Sequence, residues 1–210
     1  MCFQAARHLR RAAGTFRTSL FVYTEITMIR NSKELGTTTL RRDALSIAEA
    51  GIRAALPEEA LRASTALEGE ILSIRGRRFD LSRFRRVYLV GFGKASLAAA
   101  SFFESLLGAR ITDGVIIDTV PGALRSVRSF VGDHPVPSAR NVAATRKLVK
   151  LLEAAGRDDL VLILVSGGGS ALLADPVIPL SDYRRVFADL LVSGADIRAM
   201  NTVRKHLSRV

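Results

Sequence analysis

The chain has 210 residues, 48% apolar and 24% charged, which is room for a buried core and excludes a disordered, collagenous or coiled-coil chain. No run approaches the roughly 18 unbroken apolar residues of a membrane span. The one cysteine, Cys2, excludes an internal disulfide or a cysteine-built zinc site and fits a reducing, cytoplasmic setting. The net charge is +11, but more than half of the excess lies in residues 1–42, where eight basic residues face two acidic ones. The body has no Trp and no basic stripe interleaved with aromatics, so neither a nucleic-acid nor a membrane partner is expected.

Met1–Thr37 has no steady hydrophobic period, is rich in Arg and nearly free of acids. A transit peptide has that composition, yet the segment lacks a clean apolar signal region and an A-x-A-like cleavage site. It reads as an atypical basic extension, disordered or translated from upstream of a true start near Met28, and is set aside from the fold. From Thr39 the pattern becomes regular. Asp43–Leu56 carries Leu45, Ile47, Ala48, Ile52, Ala55 and Leu56 near helical spacing and stops at Pro57. Glu59–Leu67 reads as a further short helix. Ile71–Ile74 and Phe79–Leu81 flank Arg75-Gly76-Arg77-Arg78 as a hairpin. Arg85–Val90 is a buried strand and Lys94–Leu107 a helix rich in Ala and Leu. Gly114–Ile117 is a second buried strand, ending at Asp118. Pro121-Gly122 is a turn and Val127–Val131 a third strand. Asn141–Ala155 is a helix with Val142, Thr145, Leu148, Val149 and Leu152 on one face and Gly156 as its stop. Leu160–Val165 is the clearest buried strand, and Ser181–Val192 and Asp196–Leu207 are helices.

Short apolar strands separated by helices predict an α/β fold, a three-layer Rossmann-like domain with a mostly parallel sheet over residues 38–210. Ligands of such sheets gather at the carboxyl ends of the strands. That points at Gly91–Ser96, Asp118–Gly122 and Ser166–Ser170.

Gly91-Phe92-Gly93-Lys94-Ala95-Ser96 follows a strand and opens a helix. Glycines there allow a tight turn, and a helix start offers N–H groups and partial positive charge to an anion. The pattern nearly matches the dinucleotide fingerprint, with Ser96 in place of the third glycine and Asp118 positioned to hold a ribose hydroxyl. Asp118 can alternatively help to hold Mg²⁺. Lys94 inside the turn brings a charge to the phosphate position. Ser166-Gly167-Gly168-Gly169-Ser170 exposes a row of backbone N–H groups, a nest suited to phosphate or carboxylate, with the serine hydroxyls as further donors. Gly132-Asp133-His134-Pro135-Val136-Pro137-Ser138 is a proline-stiffened loop in which Asp133 and His134 can face substrate or metal, and Ser138 can cap the next helix. Asn201-Thr202-Val203-Arg204-Lys205-His206 places cations together, as an anion contact or as a solvated helix face.

These four segments, in this order, resemble the glycerate 2-kinase family with the MOFRL-type C-terminal domain, whose members are often labelled hydroxypyruvate reductases. The resemblance covers roughly residues 40–210. It implies ATP-dependent phosphorylation of D-glycerate on its 2-hydroxyl, with Mg²⁺, in a cleft between two α/β domains. It places the family's proposed catalytic lysine on Lys94. Family chains are much longer, so this chain reads as truncated before the second domain, which would supply the other cleft wall and an arginine. The expected roles follow from phosphoryl-transfer chemistry. Lys94 stabilises the transferring group, and Gly91, Gly93 and the Ser166–Ser170 nest bind phosphate or the glycerate carboxylate. Arg204 and Lys205 are secondary anion contacts, with Asp118, Asp133, His134 and Asn201 as further candidates and the metal ligands and general base unassigned. The alternatives are an NAD(P)-dependent hydroxypyruvate reductase, using the Gly91–Asp118 geometry, and a non-catalytic anion-binding half-domain; the protein partner expected is the missing C-terminal domain or, as a homo-oligomer, a second copy of the chain. All of them need the lysine bend and the triple-glycine bend on the same edge of one sheet.

Overall fold

A computed structural model describes residues 28–210; the expectations for Met1–Thr27 lie outside the described residues. The chain divides after Ile52 into two compact units. In the first, α1 spans Ser32–Leu35, and α2 spans Thr39–Ala54 and so runs to the division and just past it. The helix begins four residues before the expected Asp43, with Thr38 Oγ1 accepting from Arg41 N–H at 3.3 Å as its cap.

The second unit opens with α3 (Pro57–Ser64), where Pro57 takes the first-turn position that needs no N–H. The helix expected to reach Leu67 ends at Ser64, and Thr65–Glu68 is instead strand β1. It pairs antiparallel with β2 (Ile71–Ile74), which pairs with β3 (Arg77–Asp80) to make a small meander. The turn between β2 and β3 is only Arg75-Gly76, both at positive φ (47° and 79°), the geometry that matches strand twist in a two-residue hairpin.

The main sheet is wholly parallel, in the order β6-β5-β4-β7. Its strands are β4 (Arg86–Phe92), β5 (Asp113–Asp118), β6 (Arg128–Val131) and β7 (Asp159–Val165). Helix α4 (Ser96–Leu107) joins β4 to β5, and α5 (Ala139–Glu153) carries the chain from β6 back to the far side of β4. Alternation along β4 decides which layer each side chain joins. Val87 and Leu89 pack with Ile116, Ala100, Phe103 and Leu107 under α4. Tyr88 and Val90 pack with Val115, Ile117, Ala144 and Leu148 under α5. Helices therefore cover both faces, as the sequence pattern predicts.

A further detail differs from the expectation. β7, expected as a buried strand, lies at the edge of the sheet, and Ile163 and Val165 are 57% and 68% exposed. The β5–β6 connection is a loop, residues 119–127, in keeping with the turn expected at Pro121-Gly122. Glu104 of α4 holds the end of that loop, accepting the N–H of Arg125 (2.8 Å) and Ser126 (2.7 Å). After β7 come the one-turn helix α6 (Gly169–Leu172), α7 (Leu180–Val192) and α8 (Ile197–His206). Tyr183 and Phe187 of α7 close a third apolar cluster with Ala171 and Ala174.

The order of the strands places the site. The chain grows outward from β4 through β5 to β6, then reverses to β7 on the other flank. The bends leaving the carboxyl ends of β4 and β7 therefore lie side by side at the topological switch point, where ligands of open α/β sheets bind.

Candidate functional site: a lysine and an open glycine bend at the switch point

The bends after β4 and β7 are laced together. Ser166 N–H donates to Phe92 O (3.2 Å), Lys94 N–H to Gly167 O (2.9 Å) and Ala95 N–H to Ser166 Oγ (3.1 Å). Gly93 makes the approach feasible. It sits at φ 126°, and a Cβ there would lie 2.2 Å from Ser166 Oγ and 2.6 Å from Ser166 O.

The Gly91–Ser96 bend offers almost no backbone donor to a ligand. Gly93 N–H is taken by Ile117 O (3.1 Å), Ser96 N–H by Gly93 O (3.1 Å), and those of Lys94 and Ala95 by the Ser166–Gly167 backbone and hydroxyl. Three expectations change accordingly. Gly91 lies within β4, where a Cβ would press on Leu164 Cβ at 3.0 Å, so it serves sheet packing rather than anion binding. Asp118 is fully buried, and its oxygens accept Leu97 N–H (2.8 Å) and Thr119 N–H (2.6 Å). It caps the start of α4 and presents no free carboxylate to a ribose or a metal. The Ser166 hydroxyl faces Ala95 as part of the lacing.

The glycine bend is the opposite. Among the described residues no acceptor meets the N–H groups of Gly167, Gly168, Gly169 or Ser170, and Gly168 adopts the left-handed conformation at φ 88°. Lys94 and His134 converge on this open backbone. The position a Cβ would take on Gly168 is 3.2 Å from Lys94 Cε, 2.9 Å from His134 Cδ2 and 3.1 Å from His134 Nε2. Partial desolvation of the ring, and then the Lys94 charge, hold the His134 imidazole below its ordinary pKa of 6.5.

Asn141, which the sequence reading did not single out as functional, fixes the His134 loop against the glycine bend. It is fully buried. Its Oδ1 accepts Asp133 N–H (2.9 Å) and Ser138 N–H (3.0 Å), while its Nδ2 donates to Asp133 O and Ala171 O, both at 2.9 Å. The signal for it was local: Ser138-x-x-Asn141 is a capping box with Asn at the third position, and the box is formed. Asp133 thus contributes its backbone to this brace, and its carboxylate is exposed.

Beyond Ser170, α8 supplies a second wall. Asn201, Arg204 and Lys205 follow i, i+3, i+4 spacing and share one face of α8, and Ser208 follows just beyond its end. With Gly169, Ser170 and Tyr183 they line a cavity of about 240 Å³. Arg204 lies with its guanidinium carbon 4.4 Å from the Phe187 ring centroid, and its Nε is buried without a partner. Burial raises the pKa of Tyr183 above 10.0, opposed by a hydrogen bond with Ser208 and by Arg204. His206 is drawn away from this face, its Nδ1 lying 2.7 Å from Thr202 O.

The model for the family described as a domain of unknown function, DUF4147, matches residues 43–210. The chain belongs to the DUF4147 family. It is 31% identical over 175 residues to the glycerate 2-kinase of Pyrococcus horikoshii, covering 81% of this chain and 39% of that one. It is 35% identical over 193 residues to human glycerate kinase, covering 81% and 36%, and 32% identical over 177 residues to the D-glycerate 2-kinase of Thermotoga maritima, covering 82% and 39%. Crystal structures agree. A P. horikoshii protein superposes with a TM-score of 0.73 at 31% identity over 82% of this chain and 40% of the other. The T. maritima glycerate kinase superposes at 0.66 and 31%, over 81% and 39%. The chain thus spans about two-fifths of the length of the relatives it matches.

On this DUF4147 scaffold the described residues contain no group of three or more His, Cys, Asp or Glu side chains able to hold a metal ion. Asp118, fully buried with each carboxylate oxygen accepting a backbone N–H, is not placed to hold one. No helix among the described residues is long and apolar enough to cross a membrane.

Proposed function

We propose that this chain carries the lysine-and-nest half of a glycerate kinase, whose reaction is ATP-dependent phosphorylation of D-glycerate on its 2-hydroxyl. The observation that carries the reading is the convergence of Lys94 Cε and the His134 ring on the unpartnered Gly167–Ser170 backbone at the switch point. The names of the relatives supply the substrate class. Phosphoryl transfer asks for positioning and for positive charge around the equatorial oxygens, not for covalent help from the protein.

In this reading the Gly167–Ser170 N–H groups hold phosphate oxygens, and the Lys94 ammonium acts as a point charge on the transferring group. Glycerate sits in the Asn201–Arg204–Lys205 cavity, its carboxylate facing the two cations. The 2-hydroxyl oxygen bonds to the γ-phosphorus as the bond to the ADP oxygen breaks. The hydroxyl proton passes to His134, whose lowered pKa keeps the imidazole neutral and able to accept it at neutral pH. Mg²⁺ enters with the nucleotide as part of the substrate.

The reductase alternative is disfavoured by the same geometry. A nicotinamide pyrophosphate needs free backbone donors in the bend after β4 and a free acid at the end of β5, and both are consumed internally.

Binding is the direct assay, because the chain spans only 36–39% of the relatives named glycerate kinase. Calorimetry with MgATP and with D-glycerate is expected to show both ligands bound, and Lys94→Ala is expected to weaken MgATP by about tenfold or more. In the complete enzyme the same change should slow turnover by about 10²-fold or more. Tight NADH binding with no MgATP binding would overturn the reading.

A further inference from the structure

A second cavity, of about 380 Å³, opens beside Lys94 and shares no lining residue with the Asn201–Arg204–Lys205 cavity. One wall is the first turns of α4, through Leu97, Ala98 and Ser101; the other is the β5–β6 crossover, through Val120, Ala123 and Leu124. The kinase reading leaves this cavity unused.

The crossover loop is held against α4 at three points. Asp118, at its start, accepts Leu97 N–H of α4, and Glu104 of α4 accepts Arg125 and Ser126 N–H at its end. Between them Gly122 lies close against the Leu97 side chain, whose Cδ2 would be 2.3 Å from a Cβ placed there. The result is a slot whose two walls are largely aliphatic, lined also by Lys94, Ser101 and the buried Asp118. Among the described residues no acceptor meets the N–H groups of Gly122, Ala123 and Leu124, which leaves donors for the edge of a flat heterocycle. The volume falls in the range of small-molecule sites, roughly 300–1,000 Å³, and such sites are mostly apolar with a few placed polar groups. The other cavity is smaller, and beside Phe92, Leu173 and Val210 it holds two cations, an amide and hydroxyls, a set that suits a small hydroxy acid.

Lys94 connects the two. It lines the slot, and its Cε also touches the Gly168 position of the nest. We propose that the slot seats the nucleobase and ribose of the phosphoryl donor between Leu97–Ala98 and Val120–Leu124. The phosphate chain then passes Lys94 onto the Gly167–Ser170 nest, toward the acceptor on the other side. This assignment rests on the kinase reading and adds the donor's location and polarity to it.

Two measurements test it. Photolabelling the chain with 8-azido-ATP, followed by tryptic digestion, should place label on the peptides that form the two walls, Ala95–Arg110 and Ile111–Arg125. Ala98→Trp and Ala123→Trp put bulk into the slot from exposed positions. Each should weaken MgATP binding by at least about tenfold while D-glycerate affinity and the far-UV circular dichroism stay unchanged. Label confined to other peptides, or MgATP binding unchanged in both folded variants, overturns the slot and leaves the kinase reading standing. Absence of MgATP binding by the unmodified chain overturns both.

Discussion

Gly93→Ala is the sharpest test of how the two bends are built. The substitution has two separable costs. An alanine held at φ 126° adopts a backbone conformation that costs an L-residue about 1–3 kcal/mol. Its Cβ also meets Ser166 Oγ at 2.2 Å, Ser166 O at 2.6 Å and Ser166 C at 2.7 Å, so the bends must separate. Separation breaks Lys94 N–H to Gly167 O and Ala95 N–H to Ser166 Oγ, at about 1 kcal/mol each. The expected loss is about 3–5 kcal/mol, a large share of the roughly 5–15 kcal/mol that stabilises a typical domain. Denaturant unfolding followed by circular dichroism measures it, since the chain has no Trp for fluorescence. Gly167→Ala is the internal control: its Cβ would meet nothing within 4 Å, and it should shift stability by only about 0.5 kcal/mol or less. Removing the hydroxyl with Ser166→Ala should not rescue Gly93→Ala, because the 2.6 Å clash with the carbonyl oxygen stays. Equal stability losses for Gly93→Ala and Gly167→Ala would refute the interlocking of the bends and, with it, the placement of Lys94 on the nest.

Two further predictions concern the supports of the site. Asn141→Leu removes an amide that satisfies the N–H groups of Asp133 and Ser138 and the carbonyls of Asp133 and Ala171. Stranding these buried groups should cost about 3 kcal/mol or more in denaturant unfolding, and a loss below about 1 kcal/mol would contradict the bracing role. Asp159, at the start of β7, is held down to a pKa of about 2 by the Arg86 guanidinium first and Gly156 N–H second. Its folded pKa lies below the unfolded value near 3.8, so its stabilisation is complete above that value and is lost as the pH falls toward 2. Asp159→Asn should therefore lower Tm at pH 7, with the difference closing on acidification. A difference independent of pH would show that the pair does not titrate as described.

The alternation of strands and helices from Arg85 onward was legible because burial imposes it locally. A strand covered on both faces must be apolar throughout, as Val87–Val90 and Val115–Ile117 are, and a helix covering it must carry one apolar face, as Val142, Thr145 and Leu148 do. The places where local reading failed are those where neighbours decide. Thr65–Glu68 continues a helical pattern in sequence, yet it pairs with β2 because the Gly69 turn (φ 59°) folds Ile71–Ile74 back upon it. Leu160–Val165 has the composition of a central strand, and its position at the edge follows from strand order, which no local pattern encodes.

The site divides along the same line. Residue types alone identified the lysine-bearing bend, the triple-glycine bend, the His134 loop and the Asn201–Lys205 helix as carriers of anion chemistry, because glycine runs after strands and cations near helix faces are local features. Which of them offers anything to a ligand was a tertiary matter. Two bends rich in glycine look alike in sequence, yet the first spends its N–H groups on Ile117, Ser166 and Gly167 while the second keeps Gly167–Ser170 free. A hydrogen-bond donor can be used only once at full strength, and its partner is chosen by chain segments 24 and 71 or more residues away, so availability is a property of the folded molecule and never of the motif.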